Sequence, residues 1–144
     1  MIKELQGEYR FLSNFWPAVV ELDGVKYPTV EHAYQAAKTL DLEQRAKIAA
    51  SSTPGVAKRE GKKVVIRQDW DEVKIPTMRS LLQQKFQIAS LRRKLLATGD
   101  QEIQEGNTWG DRFWGICRGS GQNHLGKLLM VVREEIQSKE GTNA

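Results

Sequence analysis

The stretch AVVELDGVKYPTVEHAYQAAKTL, residues 18–40, carries the strongest structural signals in the chain. Asp23-Gly24 separates the short runs 18–22 and 25–27, and this dipeptide tolerates the positive φ angles of a two-residue hairpin turn. Thr29 is a residue type that caps helices, and it precedes a run of good helix formers. These residues predict a β-hairpin that leads directly into a helix.

The predicted helix has two different faces. At about 100° per residue its small and apolar residues fall together, which favours close packing against a neighbour; they are Ala33, Ala36, Ala37 and Leu40. Glu31, Gln35 and Lys38 fall on the opposite side. This row is consistent either with a solvated stripe of ion pairs or with a set of functional groups.

Further helices and short strands are predicted along the rest of the chain. Helices are expected over 42–50, from Pro54, over 76–98 until Gly99 stops the helix, and from Leu125 to Ile136. Short extended segments are expected at 64–67, 102–105 and 113–117. The predicted fold is therefore a compact single α+β domain over residues 1–144, mostly helical with a small sheet that contains the N-terminal hairpin.

Lys85 interrupts an otherwise apolar stripe in the predicted helix 76–98. It projects within the arc of Met78, Leu82 and Ala89. Its stem is expected to be buried, and its amine then needs a destination.

Composition limits the possible classes of protein. The 144 residues suit one domain, and 22 Lys and Arg against 18 Asp and Glu give a net charge of +4. This mild excess favours phosphate-bearing partners without requiring them. Cys117 is the only cysteine, so no internal disulfide can form, and no apolar run approaches the length of a membrane span. We expect a cytoplasmic protein that needs neither a membrane nor an obligate protein partner.

The sequence gives little support for a metal site or for the common nucleophile motifs. His32 and His124 are far apart in sequence and form no helical two-histidine motif, so no metal site is expected. The chain has no G-x-S-x-G elbow and no nucleotide-binding glycine fingerprint, and no cofactor is expected. A lone Cys117 beside a predicted strand is most simply a small core residue.

Polar residues occur in two aromatic surroundings. Ser13 and Asn14 interrupt the rings of the segment FLSNFWP, residues 11–17, which indicates a turn or a ligand pocket. Asp111 lies between Trp109 and Trp114 in a glycine-rich segment, which suits a turn or a carboxylate held against aromatic walls.

An ordered series of sequence blocks resembles the NADAR family. The blocks are FLSNFWP, YPTVEHAYQAAK, IRQDWD, MRSLLQQKF, LLATGDQEIQE and WGDRFWGICRGSGQNHLGKLLMVVRE, which together span about Tyr9 to Arg133. The resemblance implies a compact α+β enzyme, without a cofactor, that hydrolyses the N-glycosidic bond between a phosphorylated ribose and a nitrogen base. Its expected partner is ADP-ribosylated guanine in nucleic acid. The alternatives are a phosphorylated ribosyl intermediate of riboflavin biosynthesis, or a non-catalytic module that binds ADP-ribose or nucleic acid.

The resemblance also suggests roles for individual residues. It places Glu31 and Asp111 in family motifs as the acidic pair, and a lysine intermediate is part of the chemistry it implies. Lys85 is the leading candidate for that lysine and Lys38 the alternative. The expected substrate-binding residues are Ser13, Asn14, Phe15, Trp16, Lys38, Trp114, Gly119, Asn123 and Gly126.

Overall fold

The hairpin and the first helix form where the sequence predicts them. In the computed structural model, which describes residues 1–142, strand β1 (Val20–Leu22) pairs antiparallel with β2 (Val25–Tyr27). Asp23 and Gly24 have φ angles of 50° and 81°, as the tight turn requires. Helix α1 (Val30–Ala37) follows, and the Thr29 hydroxyl accepts a hydrogen bond from the His32 N–H at its start.

The chain forms two compact units. The central unit, Asn14–Lys85, contains the hairpin and the helices α1, α2 (Leu42–Ala49), α3 (Pro54–Gly61) and α4 (Trp70–Lys85). The terminal unit joins Met1–Ser13 to Phe86–Ala144. It contains the 3₁₀ helix η1 (Gly7–Leu12), the helices α5 (Ala89–Ala97) and α6 (His124–Thr142), and the strands β3 (Gly106–Asn107) and β4 (Ile116–Cys117).

Helix α1 is the core of the central unit. It contacts α2, α3, α4 and both hairpin strands, and each of its eight residues is buried. Ala33, Ala36 and Ala37 bring the neighbouring helices close, as predicted, whereas Leu40 lies beyond the helix and is exposed. Because α1 is surrounded, its polar side chains are buried along with its alanines.

The starts of α2 and α3 are capped by short polar side chains. Asp41 accepts hydrogen bonds from the N–H groups of Glu43 and Gln44. Thr53 accepts one from Val56, with Pro54 in the first turn. The predictions of helices in these two places are confirmed.

The prediction of one helix over residues 76–98 is wrong in two respects. Helix α4 begins at Trp70 and carries Pro76 inside it, where the ring is exposed and interrupts the hydrogen-bond ladder only locally. A break then separates α4 from α5, because Ile88 adopts an extended conformation with ψ of 118°. Apolar periodicity continues across this break, so the sequence pattern does not reveal it.

The short extended segments were predicted less accurately than the helices. Residues 64–67 belong to no strand, although the Arg67 N–H donates to the Lys38 carbonyl at 2.8 Å. In the region 102–105 only Ile103 pairs, as an isolated bridge to Ile2. Strand β4 lies within the predicted region 113–117 and pairs parallel with β3.

Helix α6 places the predicted apolar residues in the interior of the terminal unit. All are buried: Leu125, Leu128, Leu129, Val132 and Ile136. The α+β class, mostly helical with an N-terminal hairpin, is confirmed. The assignment of residues 1–144 to one functional domain stays a prediction.

The described part of the chain contains neither a candidate membrane span nor a candidate metal cluster. No helix in residues 1–142 is long and apolar enough to cross a membrane. Within the same residues, His, Cys, Asp and Glu side chains form no group of three or more that could hold a metal ion.

Candidate active site

The polar face of α1 is the most unusual feature of the central unit. Glu31 is only 7% exposed and Gln35 only 3%, so the alternative of a solvated ion-pair stripe is wrong. The Glu31 N–H donates to the Asn14 carbonyl at 3.1 Å, which ties the start of α1 to the segment before the hairpin. A carboxylate is thus held inside the unit, and burying one is costly unless it is paired or hydrogen-bonded.

Gln35 supplies one of the hydrogen bonds to this carboxylate. Its Nε2 donates to Glu31 Oε1 at 2.7 Å across one turn of the helix. Lys38, one further turn along, is half-buried, and its Nζ lies 5.5 Å from the centre of the Tyr34 ring. The row predicted from the helical period therefore exists and is mostly buried.

The charges around Lys38 oppose one another. Burial lowers its pKa, the Glu31 carboxylate acts to raise it, and the ammonium groups of Lys58 and Lys62 lower it further. The net shift is downward. Lys38 therefore shares one electrostatic environment with Glu31 and with two lysines at the C-terminal end of α3.

Lys85 is completely buried at the end of α4. It is 0% exposed, and desolvation lowers its pKa to about 7. The predicted burial of its stem is confirmed and extends to the amine. A substrate cannot reach this amine without a local rearrangement.

The aromatic segment at the start of the central unit is partly accessible. Phe15 is 43% exposed and Trp16 is half-buried. Asn14 is buried, and its Nδ2 lies 3.5 Å from the Met78 thioether sulfur, a weak acceptor. Ser13 belongs to the terminal unit, where its N–H closes η1 by donating to the Arg10 carbonyl.

In the terminal unit, Asp111 organises a loop. Its Oδ1 accepts the N–H groups of Phe113 at 3.1 Å and Trp114 at 2.9 Å, and its own N–H donates to Asn107 Oδ1. Asp111 is half-buried, in contrast to Glu31. The turn predicted for this segment is present, with the carboxylate next to the backbone of Trp114.

Trp114 belongs to a ring cluster at the start of α6. The Phe113 ring centre lies 4.9 Å from that of Trp114 and 4.5 Å from the His124 imidazole. His124 Nε2 is 2.7 Å from Gln122 Oε1. Sequence reasoning considered His124 only as a metal ligand and missed this packing role.

Three of the predicted substrate-binding residues, Gly119, Asn123 and Gly126, have different surroundings in the terminal unit. Gly119 is exposed in a two-residue turn between Cys117 and Ser120, with φ of 81°. Asn123 is buried; its Oδ1 accepts a hydrogen bond from the Glu105 N–H, and its Nδ2 donates one to the Ile103 carbonyl. Gly126 is also buried, and a Cβ on it would lie 2.2 Å from the Ile103 carbonyl oxygen.

Sequence reasoning therefore missed or undervalued several residues. Gln35 was aligned with Glu31 by helical period, but its hydrogen bond was not predicted. The packing of α3 against α1 brings the charges of Lys58 and Lys62 to Lys38. Glu105 gave no signal, although its carboxylate accepts a hydrogen bond from Asn107 at 3.0 Å.

Comparison with known proteins is consistent with these observations. Residues 2–137 match the NADAR domain. The chain is 42% identical to N-glycosidase YbiA of Escherichia coli (strain K12) over 135 residues, covering 90% of this chain and 82% of that protein. The solution NMR structure of E. coli YbiA superimposes with a TM-score of 0.82, at 38% identity, over 97% of this chain and 89% of that one.

A longer relative is also similar. The riboflavin biosynthesis protein VVA0006 of Vibrio vulnificus (strain YJ016) is 38% identical over 138 residues. The match covers 93% of this chain but only 37% of that protein. This chain thus spans little more than a third of that relative and most of YbiA.

The enzymatic class follows from the relatives of similar length, which are named N-glycosidases: this is an N-glycosyl hydrolase. The chain belongs to the NADAR domain family.

Proposed function

We propose that the chain hydrolyses the N-glycosidic bond between a phosphorylated ribose and a nitrogen base, and that its substrate is ADP-ribosylated guanine in nucleic acid. The observation that carries the proposal is the buried polar row on α1, in which Glu31 is hydrogen-bonded by Gln35 and lies in the electrostatic environment of Lys38. Family membership supplies the reaction class.

The chemistry requires opposite charge at the reacting carbon. As the ribosyl C–N bond lengthens, positive charge develops on the anomeric carbon and its ring oxygen, and the leaving base needs a proton. A carboxylate stabilises that positive charge best when few water molecules screen it. We propose this role for Glu31, which is buried and already oriented.

Asp111 is our candidate for the second acid. Its Oδ1 is fixed by two backbone N–H groups, so its carboxyl group has a defined direction. We propose that Asp111 orients the departing base or water. Trp114, Phe15 and Trp16 are proposed as flat walls for the base and the ribose.

A lysine provides a covalent route. A neutral amine can attack the anomeric carbon as the bond to the base breaks, and ring opening then gives a Schiff base that water hydrolyses. Lys85 has the lowered pKa that this route needs but is fully buried, whereas Lys38 is half-buried and near Glu31. We therefore favour Lys38 as the amine that meets the substrate, with Lys85 as the alternative.

The phosphate groups of the substrate require cations or free N–H groups. Lys58 and Lys62 bring positive charge to Lys38, which supports an anionic substrate beside α1 and α3. Ser13, Asn14 and the exposed Gly119 stay proposed contacts to ribose or phosphate. Asn123 and Gly126 are weaker proposals, because both are buried in packing contacts.

A second substrate class is favoured by one of the comparisons. A relative carries the name riboflavin biosynthesis protein, which supports a phosphorylated ribosylaminopyrimidine as the substrate. The same carboxylate and lysines would serve this molecule, because it also joins a phosphorylated ribose to a nitrogen base.

The two substrates can be tested side by side. Purified protein is incubated with an oligonucleotide that carries ADP-ribosyl-guanine and, separately, with a ribosylaminopyrimidine 5′-phosphate, and the released base is measured by chromatography. Faster turnover of the oligonucleotide, reduced steeply by added salt, supports the proposal. Faster turnover of the small molecule replaces it with the second class.

A third outcome would overturn both. If the protein binds these ligands but releases no base from either, it acts as a non-catalytic binding module. Binding is therefore measured by calorimetry on the same samples.

A further inference from the structure

The Gln35 side chain has an unusual environment within the central unit. Its Nε2 donates to Glu31 Oε1 at 2.7 Å, while its Oε1 is buried and meets no hydrogen-bond donor among the described residues. An amide that lacks one hydrogen bond in the interior normally costs about 1–3 kcal/mol. A purely structural glutamine would be expected to satisfy both of its ends.

Gly61, at the end of α3, lies directly against this amide. A Cβ built on Gly61 would lie 2.0 Å from Gln35 Oε1 and 2.7 Å from its Cδ. Only a hydrogen of glycine can therefore face the amide. Gly61 therefore leaves the space that the Gln35 amide occupies, and a larger residue there would displace the amide from Glu31.

The orientation of the amide also selects a protonation state. An N–H donor favours the ionised carboxylate over the neutral acid. Lys38 and Lys62 are the C-caps of α1 and α3. The helices packed against α1 carry further charged side chains: Glu43, Arg45 and Lys47 on α2, Lys58, Arg59 and Glu60 on α3, and Asp71, Glu72, Lys74, Arg79 and Lys85 on α4. Arg45 is directed to the Thr39 carbonyl and to Asp23, whereas Gln35 donates directly to Glu31 Oε1.

We infer that Gln35 is a positioning residue that keeps the Glu31 carboxylate ionised and aimed at the ribose, and that Gly61 supports Gln35 by leaving the space that its amide occupies. This inference rests on the function proposed above for Glu31. It adds that the buried carboxylate is active only while this amide supports it.

Three substitutions test the inference in the full-length protein. Gln35→Leu removes the donor, and kcat is expected to fall about 100-fold with little change in KM, because a misplaced group loses contact mainly with the transition state. The acid limb of the pH profile of kcat/KM is expected to move up by about one unit. Gln35→Glu keeps the shape but adds a like charge, so the limb should move further in the same direction.

Gly61→Ala tests the contact from the other side. It is expected to lower kcat in the same way, because the new methyl group displaces the amide. Gly55→Ala on the same helix is the matched control, since a Cβ there makes only an ordinary contact of 3.8 Å with Thr53. Gln137→Leu is the second control, because Gln137 also donates through Nε2, to the Gly99 carbonyl.

A measurement without substrate separates this inference from the proposed function. The carboxyl ¹³C signal of Glu31 is titrated by NMR in the wild type and in Gln35→Leu, and its midpoint is expected to rise in the variant. If the wild type shows no turnover but the midpoint moves, the proposed function fails and the pairing stands. An unmoved midpoint in a folded Gln35→Leu protein, or an unshifted acid limb, overturns the inference.

Discussion

Helix α1 and the loop that contains Asp111 each carry an acid of the candidate site, yet they hold it differently. Glu31 is buried on a regular helix and is bonded by the side chain of Gln35. Asp111 is half-buried, and two backbone N–H groups occupy one of its oxygens. The buried charge of Glu31 contributes little to folding stability, whereas the charge of Asp111 stabilises the turn to which it belongs.

The two buried or half-buried acids therefore need different explanations. A loop carboxylate that accepts backbone N–H groups stabilises its own loop, so its presence needs no catalytic explanation. A buried helix carboxylate with a neighbouring lysine of lowered pKa has a weaker structural reason. We therefore expect the largest catalytic losses from α1 and the larger structural cost from the loop.

Glu31→Gln should have the largest effect. It keeps the shape of the side chain but removes the negative charge, and kcat is expected to fall by about 10³-fold while ligand binding persists. Single-turnover base release and calorimetry provide the two readouts. Glu43→Gln, at an exposed position on α2, is the control. Near-normal kcat in Glu31→Gln would contradict the expectation that catalytic losses are larger on α1 than in the loop.

Lys38→Met should lower kcat/KM by about 100-fold, because it removes the amine beside Glu31 and keeps the apolar stem. Steady-state kinetics and borohydride trapping of a Schiff base measure the loss. Lys47→Met on α2 serves as the exposed control. Trapping that survives in Lys38→Met but disappears in Lys85→Met would assign the covalent role to the buried lysine.

Asp111 allows its two functions to be separated. Asp111→Asn keeps Oδ1 as an acceptor for the Phe113 and Trp114 N–H groups, so stability should change little while kcat falls by about tenfold to 100-fold. Asp111→Ala loses both hydrogen bonds and should also cost about 1–2 kcal/mol of unfolding free energy. Steady-state kinetics and urea unfolding of the two variants measure kcat and the free energy of unfolding. Full activity in Asp111→Asn would show that the residue has only a structural role.

Gly126→Ala tests packing in the terminal unit without touching α1. A methyl group there would meet the Ile103 carbonyl oxygen at 2.2 Å, so about 1–3 kcal/mol of stability should be lost. Gly141→Ala on the same helix has open space around its Cβ and should be neutral or slightly stabilising. Thermal unfolding compares the two, and equal melting temperatures would contradict the close packing.

Lys85→Met should change mainly the pH dependence of stability. Unfolded Lys85 binds its proton up to about pH 10.5, whereas burial lowers the pKa of the folded residue to about 7. Between these values the unfolded chain binds more protons, so unfolding free energy rises with pH. Urea unfolding from pH 7 to 9.5 should show this rise in wild type and in Lys74→Met, but a flatter curve in Lys85→Met.

Local sequence alone determined the hairpin and most helix starts. Asp23-Gly24, Thr29 and Pro54 act within a few residues of themselves, so their effects are visible in the sequence. The apolar stripe of α6 is likewise a property of one segment. The ordered sequence blocks also identified the family before any geometry was known.

Tertiary structure decided what periodicity could not distinguish. The helical period aligned Glu31, Gln35 and Lys38, but a polar row looks the same in sequence whether it faces water or neighbouring helices. Packing by α2, α3 and α4 buries it. The end of α4 was hidden for a related reason, because apolar spacing continues past a break that one extended residue, Ile88, introduces.

The candidate site shows the same contrast between what the sequence determined and what the tertiary structure decided. The sequence was enough to propose Glu31, Lys38 and Asp111 from the family blocks, and Lys85 from its place in an apolar stripe. Burial and hydrogen bonding depend on chain segments that are distant in sequence, such as Gly61 against Gln35. Sequence therefore determined which groups are present, and only the tertiary structure decided which of them are desolvated and held in place.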